Sequence, residues 1–579
     1  MAILLTNIGT SDLTIQIQIN GNNYYLPIDY LPTEANIKKE IDKLNPELKE
    51  VWEKQRHYIK TKLYEELGFP IGVKQASRKL TEVLLEKYIE NPPYWHPRLK
   101  PIRIWGAIQK SISLQANKAY IFVTDQLSTE MPNGHEKDTI HLYSILEKWL
   151  ELENKNFNLE KKLIPSDVIG NEIELMLGYY YKALNQINIT EGLNQVRSEN
   201  EFVLISIKGS TPSMQTALQL QAIDSNFKNI VFLDPELSLQ RILNGESSDC
   251  KLTLYWRHMR SQKYQTVRQL LNRWDFDGAI QVLVDWQKTL KSLPEGIVEQ
   301  QDISNSEKVI KSVIKAFDIT LCYLNLDILG ARQLINSTSN SDLGPVAKIK
   351  TPNYDKLLNL YTLCKIYWEL NQVTNFLPLM GSFCEETLHY LIEKLGGLKY
   401  FDKTKHPNDW YLDKGKIRNN KLWSYFAEAE NNQTFSNWNF QKKPKYRLSN
   451  RISKWNFVNA LIKFRDKARE DKPWQALTES LNKLDYWVDQ RNDLIHSAEG
   501  VSKDSMFKRL KKDCENEEVD ANDVCTPDAI LMEMTNISRQ TSELLNLSEN
   551  TFIGLDKDYY IYSEVRTWVI NKLMTDGLQ

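Results

Sequence analysis

The stretch FVLISIKGSTPS, residues 202–213, decides the fold of the first part of the chain. Its first six residues are apolar apart from one serine, which is typical of a strand that is buried on both faces. Lys208 and Gly209 then end the strand, and Thr211 and Pro212 suit the cap and the first position of a helix. A buried strand that leads through a short loop into a helix predicts one unit of a mostly parallel α/β sheet.

Other buried stretches in the first 250 residues fit the same sheet. They are Ala2–Ile8, Ile121–Val123 and Ile230–Leu233. Residues 35–90 are rich in Lys, Glu and Leu and predict helices, while alternating apolar residues around Asn20-Gly21 predict a β-hairpin. Strands separated by long helical stretches predict a doubly wound α/β domain.

Sheets of this kind bind ligands at the carboxyl ends of their strands, near the point where the strand order reverses. Three loops are expected there: Gly9–Asp12, Thr124–Gln126 and Lys208–Gln215. In the last of these, a helix start with free N–H groups follows a lysine and a glycine, which suits phosphate binding. An ordinary capped turn is the alternative interpretation. The loops match neither a dinucleotide-binding nor an ATP-binding glycine pattern, which disfavours both ligands.

The remainder of the chain is predicted to be helical. Strand signals disappear after about residue 255, and apolar residues recur at helical spacing from Val267 to Leu283. The turn-forming residues 337–342 predict a linker, and the polar, aromatic segment 404–441 predicts a long loop or an insertion. The expected layout is an α/β domain at 1–250, a helical connector at 251–350 and an all-α domain at 351–579.

The composition is that of a globular protein. Of its 579 residues, 41% are hydrophobic and 26% are charged, and the net charge of -2 provides no overall attraction for nucleic acid. Any contact with RNA therefore requires a local patch or assembly. The six cysteines are scattered without a Cys-x-x-Cys pair, which argues against a zinc site and fits a reducing cytoplasm. No apolar run is long enough for a membrane span or a signal peptide, so a cytoplasmic location is expected.

The sharpest local signal is the sequence RNDLIH, Arg491 to His496. The apolar residues of Leu477–Val488 step by three or four, and Arg491 continues their stripe, where a cation is costly unless it is paired or lines a site. At about 100° per residue, Arg491 and His496 point about 140° apart on one helix. For both side chains to reach one site, either the helix ends near His496, or two copies of the chain complete each other's site.

These residue types suit cleavage of RNA by its own 2′-hydroxyl, which needs neither a metal nor a protein nucleophile. The reaction needs a group that titrates near neutrality, which histidine as a residue type can supply, so His496 is the candidate for proton transfer. Arg491 can stabilise the charge on the phosphate, and Asn492 can orient either partner. The alternative interpretation is an arginine and a histidine on a solvated helix end.

Taken together, the motifs resemble those of the CARF–HEPN ribonucleases of type III CRISPR systems, which are activated by cyclic oligoadenylate. Asn7–Asp12 is similar to the first ligand loop of a CARF domain and Ser206–Met214 to the second, while Arg491–His496 matches the HEPN Arg-x(4–6)-His pattern. The resemblance implies that Arg491, Asn492 and His496 are catalytic. Together with the three loops expected at the carboxyl edge of the sheet, the resemblance implies an activator site. Its residues are Gly9, Thr10, Ser11, Asp12, Thr124, Asp125, Gln126, Lys208, Gly209, Ser210, Thr211 and Met214.

The resemblance further implies a homodimer in which both sites are composite. The expected activator is cyclic tetra-adenylate or cyclic hexa-adenylate, and no cofactor, metal, DNA or membrane is expected. The expected substrate is single-stranded RNA, and the products are expected to carry 2′,3′-cyclic phosphate and 5′-hydroxyl ends. Some CARF domains also cut their activator. Ser11 and Lys208 stand where that ring cleavage is implicated, although Lys208 replaces a more usual glycine.

Two other functions remain open at this point. The first alternative to the ribonuclease is a non-catalytic nucleotide sensor that acts through its helical half. A pure sensor does not need the Arg491–His496 pair. A DNA-binding sensor requires a basic helix. Arg257, Arg260, Lys263 and Arg268 form a modest basic cluster, which equally fits a solvated helix face. A small-molecule enzyme of the doubly wound class is disfavoured because a cofactor fingerprint is missing.

Overall fold

The structure, a computed structural model, describes residues 2–29, 35–126, 132–153, 156–193, 202–225, 227, 230–291, 300–338, 343–348, 356–402, 410–417, 421–431, 445–448, 451–465, 472–496, 501–545 and 559–578. The chain divides into two compact units, Met1–Tyr264 with Val284–Glu307 and Gln265–Leu283 with Lys308–Leu578. Most of the predicted linker at 337–342 lies outside the described residues. The division into three domains at 250 and 350 stays a prediction.

The first unit is built on one six-stranded sheet and one small antiparallel sheet. Its strands are β1 (Ala2–Asn7), β2 (Thr14–Ile19), β3 (Asn22–Pro27), β4 (Leu99–Lys100), β5 (Ala116–Thr124), β6 (Asn158–Ile164), β7 (Val203–Ser206), β8 (Ile230–Pro235) and β9 (Cys250–Thr253). The large sheet has the order β6-β5-β1-β7-β8-β9, in which β9 runs antiparallel to β8 and the other neighbours run parallel. This is the doubly wound order 3-2-1-4-5-6, and its switch point lies between β1 and β7.

Helices cover both faces of the large sheet. The helices of this part of the chain are α1 (Ala35–Ile41), α2 (Pro46–Glu53), α3 (Gln55–Tyr58), α4 (Tyr64–Leu67), α5 (Ser77–Glu90), α6 (Pro92–Trp95), α7 (Ile102–Ser113), α8 (Pro132–His135), α9 (Ile140–Leu152), α10 (Ile173–Glu191), α11 (Pro212–Asp224) and α12 (Leu239–Asn244). Ile3 and Leu5 face α10 and α11, whereas α7 and α9 pack on the opposite face. The predicted doubly wound α/β fold is confirmed.

The strands and the hairpin predicted from sequence are present. β2 pairs with β3 around Asn20 and Gly21, whose φ angles of 51° and 86° are those of a two-residue hairpin turn. β6 was not predicted, because this edge strand carries Glu160, Lys161 and Lys162 and lacks a clear apolar run. Exposed charges are usual on an edge strand.

The rest of the chain is predominantly helical. Its elements are α13 (Trp256–Leu271), α14 (Phe276–Lys291), α15 (Gln300–Leu324), α16 (Ile328–Asn336), α17 (Lys356–Glu369), α18 (Val373–Lys394), β10 (Tyr411–Asp413), α19 (Lys414–Ile417), α20 (Lys421–Asn431), β11 (Lys445–Arg447), α21 (Arg451–Phe464), α22 (Lys472–His496), α23 (Lys503–Glu515), α24 (Ile530–Leu544) and α25 (Tyr560–Leu578). One apolar core joins α17, α18, α21, α22 and α24. The predicted helical second half is confirmed, with the small hairpin β10–β11 as an addition.

For segment 404–441, the prediction of a long loop is wrong for the residues that the structure describes, and the alternative of an insertion stays a prediction. This segment contains β10, α19 and α20. Leu422 and Phe426 lie four residues apart on α20, and both are fully buried with Trp410 in the core of the second unit. This short helix stands in a segment that is otherwise rich in polar residues, and the segment as a whole therefore shows little helical spacing in the sequence.

Candidate functional sites

The first candidate site lies at the carboxyl edge of the sheet, where β1 and β7 are neighbours. The loops that follow these strands touch through two glycines. A Cβ added to Gly9 would lie 1.8 Å from the carbonyl oxygen of Gly209, and Gly209 itself has a φ of +91°. Any larger residue at Gly9 would separate the loops, so glycine is required for this close approach.

Asp12 holds the first loop in place. The residue is 3% exposed, and its Oδ2 accepts a hydrogen bond from the Gly9 N–H at 2.8 Å. Burial raises the pKa of Asp12, while the nearby Arg103 guanidinium and the Gly9 N–H act to lower it. Asp12, predicted to bind the activator, therefore has a clear structural role in shaping the loop.

A buried network that sequence reasoning missed connects the two loops. Tyr180 on α10 donates a hydrogen bond to Asn7 Oδ1 at 2.6 Å, and Asn7 Nδ2 donates to Ser210 Oγ at 2.9 Å. Tyr180 is fully buried, and this burial raises its pKa well above the ordinary value. The end of β1 is thereby tied to the start of the second loop. Asn7 stood inside the first-loop motif, but no local signal pointed to Tyr180.

The second loop begins α11 as predicted. Thr211 caps the helix by accepting a hydrogen bond from the Met214 N–H at 3.2 Å, and Pro212 occupies the first helical position. The side chain of Met214 is 3% exposed and belongs to the core of the first unit. Lys208 Nζ lies 3.5 Å from Asp234 Oδ1 at the end of β8.

The third predicted loop follows β5 at the same edge of the sheet, but its polar groups already have partners. The Thr124 N–H donates to Thr139 Oγ1 at 3.1 Å, and Asp125 pairs with Arg78 at 2.8 Å. The Gln126 side chain donates to a backbone carbonyl at 3.2 Å. These contacts hold the loop rigidly beside the first, and of the three side chains Asp125 stays well exposed.

The first loop also meets a cation that the sequence did not single out. Arg103, the second residue of α7, donates from Nη1 to Ser11 Oγ at 3.2 Å, and its Nε lies 3.9 Å from Asp12 Oδ1. A helix that precedes a parallel strand begins at the carboxyl edge of the sheet, so α7 brings Arg103 to the edge that holds the predicted loops. Thr10 opens the same short turn, beside Ser11.

The second candidate site lies on α22 in the other unit. This helix has 25 residues and includes the whole Arg491–His496 motif. A Cβ added to Gly381 on α18 would lie 3.2 Å from Arg491 Nη1, so the guanidinium is packed against the backbone of α18. The side chains of Asn492 and His496 lie outside the described residues, and their predicted roles stay predictions.

The helical geometry separates Arg491 from His496. Both positions belong to one helix, and at about 100° per residue they point about 140° apart. The residues that follow His496, 497–500, lie outside the described residues. Within a single α22, these two positions do not face one point.

The face of α22 that carries the His496 position also carries an ion cluster. Asp485, Asp489, Asn492 and His496 follow one another at spacings of four, three and four. Arg451 of α21 pairs with Asp485 at 3.0 Å and with Asp489 at 3.5 Å. Burial raises the pKa of Asp485 to about 6 against the opposing effect of Arg451.

The two aromatic residues beside the motif lie in the core of the second unit or pack against it. Trp487 is fully buried and donates from Nε1 to the Cys525 carbonyl at 2.9 Å. Tyr486 donates to Asp513 Oδ2 of α23 at 2.7 Å. These two hydrogen bonds fix α22 to the backbone at Cys525 and to α23.

The basic cluster on α13 is not a continuous free surface. Arg260 is 2% exposed and donates to Ser306 Oγ at 3.0 Å, while Arg257 pairs with Asp302 at 3.1 Å. Lys263 and Arg268 are exposed. With one of its four cations buried, the cluster is a poor candidate for a DNA-recognition helix.

The parts of the chain that the structure describes offer no candidate metal site and no candidate membrane span. No three His, Cys, Asp or Glu side chains among the described residues are grouped so that they could hold a metal ion. None of the described helices is both long and apolar enough to cross a membrane. All six cysteines are free thiols.

Comparison with known proteins yields one kind of match. No family model matches the chain, and no curated protein matches it. Among solved structures, it is similar to Enterococcus italicus Csm6 bound to cyclic hexa-2′-fluoro-hexa-dAMP, at 12% identity and a TM-score of 0.49 over 99% of this chain and 100% of that one. A similarity at this level is too low to assign a function.

Proposed function

We propose that this chain is a homodimeric endoribonuclease that cuts single-stranded RNA when a cyclic oligoadenylate binds its α/β domain. The proposal assigns residues 1–250 to a CARF-like sensing domain, 251–350 to a connector and 351–579 to a HEPN-like catalytic domain. The observation that carries it is the position of Arg491. This cation continues the apolar stripe of α22 and packs against Gly381, at the end of the helix that carries His496.

The proposed reaction is a transesterification that does not require a metal. His496 removes the proton of a 2′-hydroxyl, the 2′-oxygen attacks the adjacent phosphorus, and the bond from phosphorus to the 5′-oxygen breaks as that oxygen gains a proton. Arg491 stabilises the negative charge on the phosphate, and Asn492 orients either side chain. The products carry a 2′,3′-cyclic phosphate and a 5′-hydroxyl.

The angle between Arg491 and His496 supports a composite site. Because one α22 directs these positions about 140° apart, a cleft that uses both requires a second copy of the helix. Two copies related by a two-fold axis can each contribute an arginine and a histidine to one cleft.

The same angle also defines the alternative function. If two copies of α22 do not meet, the pair is not a catalytic site, and the chain is a nucleotide sensor that acts through its helical half. The two functions differ in whether RNA is cut.

The edge of the sheet between β1 and β7 is the proposed activator site. It offers the backbone of Gly9 and Gly209, the hydroxyls of Thr10 and Ser11, and the capped start of α11. A cyclic tetra- or hexa-adenylate bound there would favour one arrangement of the dimer. Cleavage of the ring with Ser11 and Lys208 is a further part of the proposal, and mass spectrometry of the ring after incubation with the protein tests it.

The main test is cleavage of a fluorogenic single-stranded RNA in EDTA, with and without each ring. We expect cleavage with one ring, no cleavage by His496→Ala, and unchanged binding of the ring by that variant. His57→Ala removes an exposed histidine of α3 and is the matched control. Ring binding without RNA cleavage would support the sensor, and loss of both activities in His496→Ala would contradict its catalytic role.

A further inference from the structure

Two cations reach the edge of the sheet where the activator is proposed to bind, and they differ in how they are held. Arg103 has a side chain that is 16% exposed and lies against the first loop. Lys208 has a side chain that is 39% exposed and lies near Asp234 at 3.5 Å. Sequence reasoning selected Lys208 because it stands inside a motif, while Arg103 belongs to a different segment of the chain.

The contacts of Arg103 leave part of its guanidinium available. Its hydrogen bond in the described part of the chain is the one from Nη1 to Ser11 Oγ at 3.2 Å. The distance of 3.9 Å from Nε to Asp12 Oδ1 is too long for a hydrogen bond, although the charges attract. A guanidinium has five N–H donors in a planar fork that matches two oxygens of a phosphate.

The hydrogen bond from Arg103 also leaves the Ser11 hydroxyl in the role of a donor. Its oxygen accepts the hydrogen bond from Arg103, so its own O–H is free to donate to another acceptor. A phosphate oxygen placed beside Ser11 would receive this hydrogen bond and face the guanidinium at the same time. Oδ2 of Asp12 is engaged within the loop by its hydrogen bond with the Gly9 N–H.

We propose that Arg103, acting with Ser11, is the principal phosphate-binding cation of the activator site. This inference rests on the proposed function, because it names a ligand-contacting residue of the same site. Lys208 has a smaller role, since it is more exposed and is paired with Asp234. An exposed lysine also binds phosphate as a mobile point charge and not as a fixed fork.

The test is the affinity of the full-length protein for cyclic tetra-adenylate and cyclic hexa-adenylate, measured by calorimetry. Arg103→Gln should weaken binding of the recognised ring by about 10- to 100-fold, as expected for a charged hydrogen-bonding partner. Lys208→Gln should weaken it by less than Arg103→Gln does. Arg98→Gln is the matched control, because Arg98 is a similarly buried arginine that pairs with Glu66 away from the loops. This variant should bind the ring with the affinity of the wild type.

Ser11→Ala provides a second variant that does not disturb a buried charge, and thermal melting establishes that each variant is folded. We expect a loss of affinity in Ser11→Ala, and a double variant that is weaker by less than the product of the two separate losses. Wild-type affinity in either folded variant would overturn the inference and leave the proposed function standing. A wild-type protein that binds neither ring would overturn both.

Discussion

Gly381 offers a way to move Arg491 without removing it. In Gly381→Ala, the new Cβ would lie 3.2 Å from Arg491 Nη1 and 3.6 Å from Val488 Cγ1. The second distance is an ordinary van der Waals contact. The first is tight, but it involves the far end of a flexible side chain, so the guanidinium should shift by a few tenths of an ångström while the helices stay in place.

The structure therefore predicts opposite effects on stability and on activity. Alanine is favoured over glycine within a helix by about 0.5–1 kcal/mol, and Gly381 lies inside α18. A catalytic group displaced by 1 Å costs about 100-fold in rate, so a shift of a few tenths predicts a loss of about 3- to 10-fold. The variant should be as stable as the wild type or slightly more stable, yet slower in RNA cleavage.

The assay compares urea unfolding and activated RNA cleavage in the wild type, Gly381→Ala and Gly178→Ala. Gly178 is an exposed glycine inside α10, and a Cβ added there meets no other atom within 4 Å. This control should show a similar gain in stability without a change in cleavage. Cleavage by Gly381→Ala at the wild-type rate would refute the assignment of Arg491 to the catalytic site, and a loss of stability would refute the packing argument.

Three other substitutions test the rest of the reasoning. Tyr180→Phe leaves Asn7 Oδ1 buried without its partner at 2.6 Å, so unfolding in urea should show a loss of about 1–3 kcal/mol, and ring binding should weaken. Thr211→Ala removes the cap of α11 and should cost about 1 kcal/mol in the same assay, without abolishing ring binding. Burial raises the pKa of Asp485 from 3.8 to about 6, so its proton stabilises the folded state fully below pH 3.8, and this contribution is lost as the pH rises through about 6. Unfolding midpoints of the wild type should fall over that range, the fall should be smaller in Asp485→Asn, and identical profiles would contradict the assigned pKa.

The strands of the first unit were predictable because the signal is local. β1, β5, β7 and β8 each contain a continuous apolar run, and such runs are required wherever both faces of a strand are covered by helices. β6 and α20 were missed for related reasons. An edge strand tolerates charges, and α20 is a short helix inside a segment that is otherwise mostly polar.

The residues at the proposed activator site divide in the same way. Gly9, Gly209 and Thr211 were predictable because a close approach and a helix cap each require particular residue types. Tyr180 and Arg103 were not predictable, because each is far in sequence from the residue that it contacts. Only the packing of α10 and α7 on the sheet brings these side chains to that edge.

The sequence by itself determined the doubly wound α/β domain, the helical remainder, the capped loop at Thr211 and the position of the Arg491–His496 motif, since each depends on residues that are neighbours in the chain. Only the tertiary structure decided that Asp12 and Tyr180 hold the loops, that Arg103 meets Ser11, and that Arg491 packs against Gly381. The physical reason is the range of the interactions. Helix caps and apolar spacing depend on residues a few positions apart, whereas these contacts, apart from the one that Asp12 makes within its own loop, join separate elements whose meeting is set by the packing of the whole core.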